Sequence, residues 1–168
     1  MQAPAVMADG YSRLAFRRKR EQNMGRRTRS EVIQVLRHIP LFSTLAKSDL
    51  REVARLCFED LFESGTMILE QGEDAQLMVA IVSGRARVSH DGRTVATVGA
   101  GDVVGEMALI DGLRRSASVI AETSVEGITL HRTSFLKLLD SRPSIARKLL
   151  TAQTARLREA NKKLSLLG

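Results

Sequence analysis

Gly105-Glu106-Met107-Ala108-Leu109-Ile110-Asp111-Gly112-Leu113-Arg114-Arg115-Ser116-Ala117-Ser118-Val119 is the stretch that decides the reading of this chain. It opens on a strand end, passes through one turn of helix, loops at Asp111-Gly112 and re-enters a strand. Such a path leaves the N–H groups of Glu106, Met107 and Ala108 at a helix start, where backbone donors lack intrahelical partners and favour an anion. Gly105 allows the chain to turn sharply without a Cβ, and the small Ala108 leaves room for close approach. Arg115 brings a planar, permanently charged fork that fits phosphate oxygens. Ser116 adds a hydroxyl donor, and Ala117 completes an Arg-Ser-Ala triplet. Glu106 has the wrong sign for a phosphate and the right one for accepting a hydroxyl. From the residues alone, Arg114 and Arg115 compete for the anion, and Glu106 paired with Arg115 is an alternative of little energetic value.

Outward from this segment the chain alternates with period two. Short runs at about 58–63, 66–70, 77–82, 85–90, 93–98, 102–104, 117–122 and 125–130 are punctuated by glycine-bearing turns, and Asp91-Gly92 is a strong hairpin signal. Eight short strands so spaced predict a mainly β fold, an eight-stranded β-roll or jelly roll over residues 58–131. Helices flank it. Thr28 and Glu31 have the spacing of a capping box, predicting a helix over 29–37 that Pro40 cannot extend. A second is expected over 47–57, led by Ser48, with Cys57 on its apolar side. After the roll, Thr133 or Ser134 caps a short helix, and Pro143 opens a long one over 144–165. There Leu150, Leu157 and Leu164 repeat every seven residues, beside a weaker row of Ala146, Gln153, Ala160 and Leu167. That stripe fits either the seam of a parallel helix pair or packing on the chain's own roll.

Composition narrows the class. The chain has 168 residues, enough for one domain with a core, and a single cysteine, so no intramolecular disulfide framework exists. No apolar run approaches a membrane span and no secretory leader is visible, which makes the cytoplasm the expected compartment. The net charge is +7; residues 1–37 hold nine Lys/Arg against three acids, so nearly all of the excess sits in this N-terminal part of the chain, which includes a basic arm, residues 1–27. Residues 13–29 therefore suit weak, non-specific contact with nucleic acid, or a solvated tail. His38, His90 and His131 are far apart in sequence, and no metal-ligand cluster, nucleophile–base set or phosphate loop is legible. An enzyme of the cupin type, which shares the jelly-roll architecture, is thereby disfavoured.

The ordered set over 105–117 resembles the phosphate-binding cassette of the cyclic nucleotide-binding domain family, the sensor module of catabolite activator proteins, protein kinase A regulatory subunits and bacterial cyclic nucleotide-gated channels. The resemblance extends over about 38–165 and leaves the arm outside. It implies a non-catalytic signal-transduction domain whose ligand is cyclic AMP, or cyclic GMP, with no cofactor and no metal. It assigns the phosphate to Arg115, since Arg114 falls where the family varies. It places Val88, with Arg87, on the strand bordering the base. Asn161 is a candidate for the base edge, from the same or a partner chain, or a plain surface residue. A threonine after the phosphate arginine tends to favour cyclic GMP in this family; Ser116 does not, so cyclic AMP is expected. Homodimerisation through the long helix, a ligand-driven shift of that helix and an unidentified downstream protein follow as expectations. A transcription regulator of the catabolite activator class would need a DNA-reading module beyond Gly168, which makes it a rival of lower standing, as is the sensor piece of a channel.

Overall fold

The computed structural model describes residues 27–167. The basic run at 17–20, and with it most of the expected nucleic-acid contact through residues 13–29, lies outside the described residues. Two helices lead, α1 (Arg29–His38) and α2 (Lys47–Ala54). Six strands follow: β1 (Cys57–Phe62), β2 (Met67–Leu69), β3 (Leu77–Ser83), β4 (Arg85–His90), β5 (Arg93–Gly99) and β6 (Val103–Val104). A single-turn helix, α3 (Ala108–Asp111), precedes β7 (Ser118–Ala121) and β8 (Val125–His131). Helices α4 (Arg132–Ser141) and α5 (Pro143–Ser165) close the chain.

The strands form two antiparallel four-stranded sheets, in the orders β1-β8-β3-β6 and β2-β7-β4-β5. This is the expected eight-stranded roll with flanking helices. Its tightest hairpin, β4–β5, turns at Asp91 and Gly92 with φ of 47° and 75°. Both are positive, as a type I′ turn requires.

Strand β3 explains how roll and helices share one sheet. Five successive residues, Leu77 to Ile81, are buried, because its alternating side chains serve two cores. Val79 and Ile81 pack inside the roll with Phe62, Leu69, Val119 and Val125. Met78 and Ala80 join Ile128 and Leu130 on the other face, under Leu36, Phe42, Leu50, Phe135 and Ile145 of the helical layer. Phe42 and Phe135 meet edge to face, with centroids 5.7 Å apart.

The Thr28–Glu31 capping box forms in full. Just before it, the Arg27 N–H donates to Glu59 and its guanidinium to Glu126, both at 2.6 Å, tying the chain to β1 and β8. Three local expectations are corrected. Helix α2 stops at Ala54 and Cys57 opens β1, where pairing with Leu130 overrides the helical pattern. Burial pushes the Cys57 thiol up to about 12, consistent with an inert apolar residue. Ser48 is not a cap, because α2 begins one residue earlier, after Ala46. Neither Thr133 nor Ser134 caps α4: β8 runs through His131 directly into Arg132, whose N–H is already satisfied by the Gln76 carbonyl at 2.8 Å.

Only Ile145, Leu149 and Ala152 of α5 are buried. Leu150, Leu157 and Leu164 are 69%, 62% and 68% exposed, and every residue from Thr154 to Leu167 is exposed. The heptad leucines therefore do not pack on their own roll. Among the described residues no helix is long and apolar enough to cross a membrane.

Candidate functional site

The site is assembled between β6 and β7. Strand β6 is only two residues long, paired through Val104 to Val79, and the chain leaves it at Gly105 with φ of +80°. A Cβ there would be strained by that backbone conformation and would stand 3.0 Å from the Leu77 carbonyl oxygen, against the Arg115 guanidinium. Gly105 is thus required twice, by conformation and by the close passage of Arg115. Glu106, Met107 and Ala108 follow, and their N–H groups find no acceptor among the described residues. Helix α3 ends at Gly112, whose left-handed conformation (φ 64°) places its N–H on the Ala108 carbonyl. Leu109, 1% exposed, anchors the turn in the helical core.

The descending limb separates two adjacent arginines. Arg114 is exposed, 3.7 Å from an equally exposed Asp74 carboxylate. Arg115 points inward and is 8% exposed. Its backbone is clamped on both sides: its N–H donates to the Glu73 carbonyl at 2.9 Å and its carbonyl accepts from the Gly72 N–H at 2.8 Å. One terminal nitrogen, Nη2, donates to the Leu77 carbonyl. The other, Nη1, is buried with no partner among the described residues. Burial pulls the Arg115 guanidinium below its ordinary range, and the Glu73 charge opposes that shift; an arginine nevertheless stays protonated. Glu73 itself is pushed up, first by burial and then by Glu70 and Asp74. No ion pair joins Glu106 to Arg115 among the described residues, and the half-buried Glu106 carboxylate is not engaged by another side chain. The plain ion-pair alternative therefore does not apply.

A buried cation with one free fork is an incomplete arrangement. Desolvating a charge without full hydrogen bonding is costly, and an anion with two oxygens is what would complete it. Open N–H groups at 106–108 and a guanidinium at 115, both opening from Gly105, fit a phosphate. The uncommitted carboxylate beside them fits a neighbouring hydroxyl. This segment lies within a known module: the sequence pattern of the cyclic nucleotide-binding domain matches residues 59–142.

The chain belongs to the cyclic nucleotide-binding domain family. It is 35% identical over 134 residues to the cyclic AMP receptor protein of Thermus thermophilus, covering 77% of this chain and 62% of that protein. It is 31% identical over 125 residues to a cGMP-dependent protein kinase of Caenorhabditis briggsae, covering 70% of this chain and 17% of the kinase. The chain thus spans less than two thirds of either relative. Among solved structures it is similar to the N-terminal domain of a transcriptional regulator from Streptomyces coelicolor, with a TM-score of 0.69 and 30% identity over 76% of this chain and 95% of that one.

The other residues read as part of a cyclic nucleotide site divide into two groups. Ser116 is exposed and Ala117 half-buried directly after Arg115. Val88, on β4, pairs with Val119 of β7 and packs toward the roll interior, which sets it beside the strand that continues the cassette. Asn161 stands apart from them: it is exposed on α5, in the stretch from Thr154 to Leu167 where no residue is buried. An open depression of about 450 Å³ lined by Gly84, Arg85, Val98 and Thr123 lies at the opposite end of β4 and has no part in this constellation. Sequence reasoning overlooked the residues that clamp the cassette from behind. Gln71 and Gly72 are legible only as a turn, and His90 only as the end of a strand. Their partners lie 26 to 47 positions away, and no local pattern signals such contacts.

Proposed function

We propose that this chain is a regulatory sensor that binds cyclic AMP in preference to cyclic GMP and signals through its C-terminal helix. The observation that carries the reading is the buried Arg115 guanidinium with Nη1 unpartnered. In this reading the cyclic phosphate joins Arg115, the Ser116 hydroxyl and the N–H groups of Glu106, Met107 and Ala108. Gly105 gives it room, Ala117 continues the wall, and Glu106 accepts the ribose 2′-OH. Val88 lines the base side. Ser116 in place of a threonine argues for adenine over guanine, and one relative is named a cyclic AMP receptor, although another is a cGMP-dependent kinase. The role is binding rather than catalysis, in the cytoplasm, and the output is read by a downstream protein.

Leu109 of the cassette and Ile145 and Leu149 of α5 belong to one packed cluster. Movement of the cassette onto a ligand is thereby transmitted to α5, provided the ligand favours one arrangement over the other. Calorimetric titration with each nucleotide tests the reading. One cyclic AMP per chain, bound more tightly than cyclic GMP, is expected; binding of neither at millimolar concentration overturns it.

The exposed leucines of α5 support pairing with a second copy. Three large apolar side chains at a seven-residue spacing are the pattern of a two-helix seam, and a paired helix would carry Asn161 toward the partner's nucleotide. Leu157→Glu is expected to convert a dimer into a monomer in sedimentation equilibrium. An unaltered dimer would place the interface elsewhere.

A further inference from the structure

We propose that His90 is a positioning residue of the nucleotide site, holding the Ser116 carbonyl so that the Ser116 hydroxyl and the Arg115 fork stay aimed at the phosphate. This rests on the assignment of residues 105–117 as the phosphate site.

The cassette's descending limb is extended chain between α3 and β7, and it is anchored unevenly. Arg115 is held at both backbone groups by Gly72 and Glu73. Ser118 is in register with Ser89 of β4, and its hydroxyl accepts the Gln71 N–H at 2.9 Å. Ser116, between them, has one anchor among the described residues, the His90 ring, with Nδ1 2.7 Å from the Ser116 carbonyl oxygen. A carbonyl oxygen only accepts, so Nδ1 carries the hydrogen in this contact. Without it Ser116 is a loosely held backbone unit beside the anion, and ligand binding would have to supply the ordering of that residue.

The ring also stands beside the Asp91 carboxylate. Nε2 is 3.3 Å from one of its oxygens, a contact that holds the ring only when Nε2 carries a hydrogen as well as Nδ1. The other carboxylate oxygen accepts from the Gln71 amide at 2.8 Å, and the Asp91 N–H returns a bond to the Gln71 amide oxygen at 2.9 Å. Asp91 sits in the left-handed position of the I′ turn (φ 47°), so the hairpin geometry fixes where its carboxylate points. Since Gln71 also donates its N–H to Ser118, the contacts close a ring through Ser116, His90, Asp91, Gln71 and Ser118. The tip of β4–β5 and the turn after β2 thereby grip the cassette from behind, and neither needs to touch the nucleotide.

Amide substitutions separate the two ring nitrogens. Asparagine places an N–H donor where Nδ1 stands, whereas glutamine places one where Nε2 stands. Cyclic AMP affinity, measured by calorimetry, is expected to fall about 5- to 10-fold in His90→Ala, the equivalent of one hydrogen bond. His90→Gln should show a similar loss, and His90→Asn should recover wild-type affinity to within about twofold. The phosphorus resonance of bound cyclic AMP should shift in the alanine and glutamine variants and return in the asparagine variant, while the unliganded melting temperatures stay close together. Wild-type affinity in His90→Ala, or equal deficits in the asparagine and glutamine variants, would overturn the assignment to Nδ1. Failure of the wild-type chain to bind cyclic AMP at all is a different result: it removes the phosphate site, and this proposal with it.

Discussion

Arg115→Ala will weaken cyclic AMP binding by roughly 30- to 4,000-fold, the equivalent of about 2–5 kcal/mol for truncating one partner of a buried charge pair. The unliganded protein should scarcely register the change. Arg115 contributes one hydrogen bond to Leu77 there, while its Nη1 remains buried and unsatisfied. Removing a half-satisfied cation relieves about as much as the lost contact costs, so unfolding free energy should move by less than about 1 kcal/mol. Opposite behaviour of affinity and stability marks a residue kept for its ligand. Arg115→Lys should fall between, since an ammonium keeps the charge and loses the fork. Undiminished affinity in Arg115→Ala would refute the site. A loss of several kcal/mol of stability in the unliganded variant would recast Arg115 as a structural residue.

Phe135→Ala is the substitution expected to cost most in stability, about 3–5 kcal/mol. Phe135 is fully buried, stacked edge to face on Phe42, and shares its cluster with Leu109, Ile145 and Leu149. Truncation leaves a cavity where the N-terminal helices, the cassette and the C-terminal helices meet, and these cannot all close on it together. Against a typical domain stability of about 5–15 kcal/mol the variant will be marginal. Urea denaturation followed by circular dichroism should show a lower midpoint with an unchanged slope. A loss below about 1 kcal/mol would mean that the helical layer tolerates the gap, and that packing through this cluster does not link cassette to helix.

The strand pattern was legible because it is local. Period two, a type I′ dipeptide at 91–92 and glycines at the turns are written in adjacent residues, and the observed strands fall within one or two positions of the expected ones. The capping box at Thr28 and Glu31 was legible for the same reason. Helix ends were less so. Cys57 fits a helical stripe until Leu130, 73 positions on, offers it a ladder position. Thr133 and Ser134 are good caps left unused, because Gln76 satisfies the donor just ahead of them.

What the sequence determined by itself was a set: which glycine, arginine and hydroxyl stand close enough along the chain to suit one small anion, which carboxylate stands beside them to suit a hydroxyl, and which periodicity builds a roll around them. The tertiary structure decided between neighbours. It turned Arg115 inward and left Arg114 in water, it buried Ile145, Leu149 and Ala152 while leaving Leu150, Leu157 and Leu164 bare, and it carried His90 across 26 residues to Ser116. Each of these depends on which face a residue presents to an element distant in sequence. Burial and hydrogen bonding act on that relation, and a linear pattern does not contain it.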